Sequence, residues 1–158
     1  MYWAPSQRST LTWWFSTAAC GTSGNVQQAS DLAHVVWKQE EFTASSPLRL
    51  AIALRASNAL IGTAGFHTVS AQNASAELAY DIAPAYWGQG IASAVCTELV
   101  RWAHTAAHIT RVQATALESN TRSMAVLERC GFQREGLLHA YRKVRGKHGN
   151  FYMYSHIA

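Results

Sequence analysis

Cysteine is scarce in this chain: Cys20, Cys96 and Cys130 form no CxxC pair and leave one unmatched. That excludes a disulfide framework and a zinc ribbon, and points to a reduced, cytoplasmic protein. Long apolar runs are missing too, none approaching the roughly 20 residues a membrane helix needs, so no membrane partner is expected. Residues Met1 to Pro5 lack the basic and apolar stretches of a secretory signal. Without one, the formal glycosylation site Asn73-Ala-Ser75 carries no meaning. Charged residues make up only 14% against 49% apolar, which rules out a disordered tail or a coiled coil. No repeat, low-complexity block or linker divides the 158 residues. They read as one domain, long enough to bury about two-thirds of its unfolded surface.

The net charge of +4 is unevenly spread. Residues 1–100 carry four Lys/Arg against six Asp/Glu, and residues 101–158 carry nine against three. Such asymmetry suits an anionic partner: nucleic acid, a membrane surface or a phosphorylated small molecule. Trp13, Trp14, Trp37 and Trp102 do not interleave with the basic cluster, which disfavours a single-strand nucleic-acid binder. His104 and His108 are four apart, but the segment lacks the glutamate of HExxH and a third ligand, so no metal is expected.

Periodicity organises the rest. Residues 9–16 alternate loosely as a first strand, and residues 17–28 read as loop. Ser30 caps a helix on which Leu32, Val35, Val36 and Gln39 recur at helical spacing. Strands follow at residues 49–55, 60–69 and 76–82, with Gly62 and Gly65 marking a bulge or a close backbone approach. In the third of these, Leu78, Tyr80 and Ile82 share one face and Glu77, Ala79 and Asp81 the other. A helix from Ile91 carries Val95, Leu99 and Trp102 on one stripe. Residues 111–117 form a strand, Asn120 caps a short helix that stops at Gly131, and residues 132–138 and 151–157 are strands joined by a basic loop. The order β-α-β-β-β-α-β-α-β-β describes one α/β domain (α+β in its segregation) with a mixed central sheet flanked by helices.

The chemistry concentrates at Tyr86-Trp-Gly-Gln-Gly-Ile-Ala92. Gly88 and Gly90 lie between a strand and a helix, where successive N–H groups can line a concavity backed by the helix dipole. This makes a pyrophosphate cradle, yet it is neither GxGxxG nor a P-loop. Thirty residues on stands Asn120-Thr-Arg-Ser-Met-Ala-Val-Leu-Glu-Arg-Cys-Gly-Phe132, followed by Arg134-Glu-Gly136.

The two segments together resemble the cofactor motifs of the GNAT superfamily of N-acetyltransferases, in wording similar to its RimJ/RimL branch. The resemblance runs from about Leu48 to Ile157 and is dense from Glu77 to Gly136. It implies a V-shaped splay between the fourth and fifth strands and acetyl-coenzyme A as co-substrate, without a metal. On it, residues 76–136 are the acetyl-coenzyme A-binding core and residues 1–47 a shortened acceptor-side region. The backbones of Gly88, Gln89, Gly90, Ile91 and Ala92, with Ser93 close behind, are implied to hold the pyrophosphate. The pantetheine arm would run along the edge of residues 80–83, with Asn120 on its amide, Ser123 near the sulfur and Arg129 on an adenosine phosphate.

The chain departs from the family at Trp87, where many members carry Arg or Gln, at Leu127, where many carry a tyrosine acid, and at Gln113, where a glutamate is common. Ser123 is then the hydroxyl nearest the leaving thiolate, better suited to a hydrogen bond than to full acid catalysis. Glu77 is the candidate base, directly or through water, with Asp81 on the same face as the other carboxylate; a strand salt bridge is the structural alternative for both. A backbone N–H near Ile82 would stabilise the oxyanion. The acceptor is a primary amine: a protein or peptide N-terminus, or a small molecule such as an aminoglycoside. A homodimer is compatible with all of this. A non-catalytic acyl-coenzyme A-binding protein of the same fold is the alternative.

Overall fold

The computed structural model describes the backbone of residues 33–36 and the whole of residues 48–158. Seven strands form one sheet: β1 (Ala33–Val36), β2 (Leu48–Leu54), β3 (Leu60–Ser70), β4 (Ser75–Ile82), β5 (Arg111–Leu117), β6 (Gln133–Val144) and β7 (Lys147–Ile157). Among the described residues two α-helices cross it, α1 (Ile91–Thr105) and α2 (Thr121–Arg129). The sheet order is β1-β2-β3-β4-β5-β7-β6, antiparallel except for the β4–β5 pair. No helix among the described residues is long and apolar enough to cross a membrane.

The core follows from period-two and period-3.6 patterns meeting. Along β5, Val112, Ala114 and Ala116 are buried while their neighbours are half-open. Along α1, Ile91, Val95, Leu99 and Ala103 are buried, and the helix packs on β3 and β4. Trp102 of α1 stacks on Phe66 of β3 with ring centroids 6.1 Å apart. Burying a side chain of the Leu or Phe class stabilises by roughly 1.5–3 kcal/mol. Strand β3 is held tightly on both sides: a Cβ at Gly65 would lie 1.8 Å from the Leu48 carbonyl oxygen, and one at Gly62 would lie 2.2 Å from that of Asp81.

Two expectations need correction. The helix expected around residues 30–39 is replaced at Ala33–Val36 by a strand, with Ala33 opposite Leu54 and Val36 opposite Ala51. Pairing with β2 supplies the hydrogen bonds, and the β-branched Val35-Val36 pair suits a strand better than a helix. The basic loop expected between the last two strands is mostly strand: Arg142 faces Gly149, Lys143 faces His148 and Val144 faces Lys147. A two-residue turn closes the hairpin, Arg145 and Gly146 both having positive φ (51° and 82°) as a type I′ turn requires. The strand expected at 9–16 and the loop at 17–28 lie outside the described residues.

Candidate active site

The parting of β4 and β5 creates the site. Their parallel register runs Ser75↔Arg111, Ala76↔Val112 and Glu77↔Gln113 and stops there. Beyond Glu77, β4 keeps only β3 as a neighbour. Ala83 N–H bonds the Ile61 carbonyl at 2.8 Å, so the adjoining pair Ile82↔Gly62 is the non-hydrogen-bonded kind. The main-chain groups of Ile82, and of Tyr80 two residues earlier, therefore point away from β3 into the gap. A cleft of about 310 Å³ occupies it, lined by Glu77, Tyr80, Asp81, Asn120, Ser123, Arg142 and their neighbours.

At the end of β4 a short turn of 3-10 helix (Pro84–Tyr86) leads to the glycines. Trp87 folds back over it, its Nε1 donating to the Ile82 carbonyl at 2.6 Å, and the Arg122 guanidinium lies 5.0 Å from its ring centroid. Gln89 steadies the turn by donating from Nε2 to the Ala85 carbonyl at 3.2 Å. Gly88 and Gly90 take left-handed φ values of 76° and 78°, and Gly90 is the N-cap of α1. Among the described residues no acceptor takes the N–H groups of Gly88, Gln89, Gly90, Ile91, Ala92 or Ser93. Six consecutive unclaimed donors at a helix N-terminus fit a diphosphate group, and a Cβ at Gly88 would meet nothing within 4 Å. Arg129 is drawn to the same place, its Nη1 donating to the buried Ser93 Oγ at 3.2 Å.

On the α2 side Asn120 is an N-cap, its Oδ1 accepting from Ser123 N at 3.1 Å while its amide nitrogen has no partner among the described residues. Ser123 Oγ lies 2.8 Å from the Tyr80 hydroxyl. Burial, and then the nearby Cys96, push the Tyr80 phenol well above its ordinary value, so it remains a neutral donor. A phenol that donates to Ser123 Oγ leaves the serine proton free to point outward.

Glu77 is buried, and its partners converge on one oxygen. Oε1 accepts from Arg142 Nη2 at 2.9 Å and from Thr115 Oγ1 at 3.2 Å, with His67 Nε2 at 3.9 Å. No buried side-chain oxygen or nitrogen among the described residues lacks a partner, so the unbonded Oε2 keeps its opening to the cleft. Asp81 stands apart: its side chain is 77% exposed and pairs with Arg49 at 2.7 Å, the strand salt bridge weighed as its alternative. The sequence-expected groups thus gather in two sets, the phosphate turn with Arg129 and the β4–α2 cleft with Glu77, Ile82, Asn120 and Ser123.

Sequence reasoning missed Tyr80, Thr115, His67 and the role of Arg142. Tyr80 shares a face with Leu78 and Ile82 and so read as core, although a hydroxyl among apolar neighbours needs a partner. His104, weighed earlier for a metal, instead donates from Nδ1 to the Ile109 carbonyl at 2.7 Å and holds His156 Nδ1 at 3.0 Å through Nε2. Leu127 is fully buried in the core. Gln113 accepts from Arg111 Nε.

Known proteins resemble this chain in sequence and fold. The acetyltransferase (GNAT) domain family matches residues 2–133. The uncharacterized N-acetyltransferase p20 of Bacillus licheniformis is 31% identical over 131 residues, 83% of this chain and 72% of that protein. The structure of Mycobacterium smegmatis RimJ in complex with CoA-disulfide superposes with a TM-score of 0.67 at 31% identity, over 72% of this chain and 54% of RimJ. The ribosomal-protein-S5-alanine acetyltransferase of Vibrio fischeri shares the fold, with a TM-score of 0.68 at 21% identity over 71% of this chain and 62% of that one. The chain therefore spans less than two-thirds of either solved relative. With its sheet parting after Glu77 and its glycine turn opening α1, the chain belongs to the GNAT acetyltransferase family.

Proposed function

We propose that this chain is an N-acetyltransferase that uses acetyl-coenzyme A and acetylates a primary amine, with a protein or peptide N-terminus as its acceptor class. One observation carries the reading: the unpaired edge of β4 beyond Glu77 runs straight into six unclaimed N–H groups. An arm that combines amides with a pyrophosphate needs a strip of main-chain partners ending in an anion cradle. The CoA-disulfide held by the 31% identical RimJ supports the same ligand.

When bound, acetyl-coenzyme A supplies an acetyl group activated as a thioester. The N–H groups of residues 88–93 hold the diphosphate charge, and the exposed Arg129 beside Ser93 takes an adenosine phosphate. The edge from Tyr80 to Ile82 pairs with the arm, assisted by the free amide nitrogen of Asn120, and the Ile82 N–H meets the carbonyl oxygen. Glu77 accepts the amine's proton at Oε2, directly or through one water, while Arg142 and Thr115 fix the carboxylate through Oε1. Ser123 donates to the sulfur and Tyr80 donates to Ser123. This replaces the tyrosine that many relatives carry where Leu127 stands. An α-amino group, with a pKa of about 7.7–8, offers far more neutral amine at pH 7 than a lysine at about 10.4, so modest assistance suffices.

The test follows release of free coenzyme A with a panel of N-terminal peptides, aminoglycosides and polyamines. Turnover with a peptide is expected, and Glu77→Gln should lower kcat by about 10²–10⁴-fold. Thermal stabilisation by acetyl-coenzyme A without turnover on any acceptor would instead make the chain a binding protein.

A further inference from the structure

The hairpin that lends Arg142 and Phe151 to the cleft carries charge of a single sign. Between Gly136 and Asn150 the β6–β7 hairpin has four Lys/Arg, two His and no Asp or Glu. Leu117, the last residue of β5, pairs with Phe151, so Lys147 to Asn150 and the turn project past the end of β5 by about 13 Å, at roughly 3.3 Å per residue. Side chains alternate along the hairpin, which places Val144, Lys147 and Gly149 on the same face as Arg142 and Phe151. Those last two line the cleft, so Lys147 stands on the cleft's face nearer its mouth. Packing agrees, since a Cβ at Gly149 would meet Leu117 Cδ1 at 2.8 Å and Val144 Cγ2 at 3.6 Å.

The charges are not balanced from within. Lys143, Arg145 and Lys147 are exposed and make no ion pair among the described residues. The two carboxylates of the cleft are already matched, Glu77 by Arg142 and Asp81 by Arg49. Glu118 stands at the base of the hairpin, where it accepts from Asn150 Nδ2 at 3.2 Å. Among the described residues, the mouth of the cleft is net positive.

Resting on the acetyltransferase reading above, we propose that this hairpin selects amine acceptors that carry negative charge close to the amine, namely peptide N-termini followed by Asp or Glu, and rejects polycationic amines. A positive mouth concentrates anionic ligands and repels cations over about one Debye length, roughly 8–10 Å at physiological salt. That distance covers the second to fourth residues of an extended peptide. The same field disfavours the ammonium form of the amine, so it raises the neutral fraction that attacks.

The experiment compares three peptides identical except at positions 2–4, which are all Asp, all Ser or all Lys, together with spermidine. At about 50 mM salt kcat/KM should fall in the order Asp, Ser, Lys, with about tenfold or more between the extremes. The spread should narrow at about 200 mM. The charge reversal Arg145→Glu/Lys147→Glu should invert the order, and the neutral pair Arg145→Gln/Lys147→Gln should narrow it, which guards against a reversal that fails to fold. Equal rates for the three peptides, or a preference for Lys or spermidine, would overturn the proposal while leaving the enzyme intact. Tight acetyl-coenzyme A binding with no acetylation of any acceptor would instead sink the reading on which it rests.

Discussion

On the acetyltransferase reading proposed above, the two ends of the cleft would recognise by different means. At the glycine turn the groups on offer are main chain, the N–H donors of residues 88–93 and the N–H of Ile82, with Arg129 and Arg122 as the charged side chains beside them. At the acceptor end they are side chains: Glu77 held by Arg142 and Thr115, Asp81 held by Arg49, and the lysine and arginine of the hairpin tip. A main-chain site depends on dihedral angles and is blind to side-chain identity. It can persist while the acceptor end is rewritten by changing charges, and it breaks when a Cβ is placed where φ is positive.

The largest effect should come from breaking the turn. Gly90→Val forces a β-branched residue to φ near 78°, a strain of about 1–3 kcal/mol, and disorders the donors beside it. Affinity for acetyl-coenzyme A, measured by calorimetry, should drop by about 10²-fold, since each 1.4 kcal/mol is a factor of ten. Gly88→Ala is the milder companion, because its Cβ enters open space and only the dihedral strain remains; about tenfold is expected. If both variants bind as tightly as the parent protein, the donors of this turn are not the anchor.

A smaller effect separates the hydroxyl pair from the rest of the acceptor end. Tyr80→Phe removes the hydroxyl 2.8 Å from Ser123 Oγ and should lower kcat by about tenfold with the KM for acetyl-coenzyme A unchanged. Ser123→Ala should cost at least as much. Because Tyr80 acts through Ser123, the double variant should be no slower than Ser123→Ala alone. Additive losses would mean that Tyr80 serves only the packing of β4 on α2.

How much of this was legible follows from the range of the interactions. Residues 111–117 alternate cleanly and are a strand; Asn120 sits where a helix needs its cap; the glycines at 88 and 90 stand between a strand and a helix. These are local signals, decided within a turn or a pleat. Ala33–Val36 misled because Leu32, Val35, Val36 and Gln39 fit helical spacing, whereas the pairing that decides the matter lies with residues 51–54. Arg142 belongs to the basic excess of residues 101–158, which suits an anionic partner, yet it closes on Glu77 across 65 positions of chain. Charge content shows in a sequence; the carboxylate an arginine meets depends on topology. Tyr80 and Ser123, 43 positions apart, were hidden for the same reason.

The smallest effect concerns the strut between the two ends. His104 near the C-terminus of α1, the helix opened by the phosphate turn, bonds His156 near the end of β7, the strand that begins in the basic hairpin. His104 Nδ1 must carry a proton to donate to the Ile109 carbonyl. In the neutral pair its Nε2 then accepts from His156 Nδ1. Burial, reinforced by His104, lowers the pKa of His156 below its ordinary value near 6.5. The unfolded chain therefore binds more protons between the folded value and 6.5, so the stabilisation is complete above about pH 6.5 and is lost as the pH falls below it. Glu135, which Arg111 and Ser155 hold at about 2, does not titrate in this window. Solvent screens the half-buried pair, so the melting temperature should drop by at most about 2–4 °C between pH 7.5 and 5.5, and by less in His156→Gln. A midpoint that stays level or rises on acidification would show that the strut carries no protonation strain. A drop accompanied by an altered preference among the charged peptides would mean that the two ends are not independent, because loosening a shared strut should weaken both without changing what either selects.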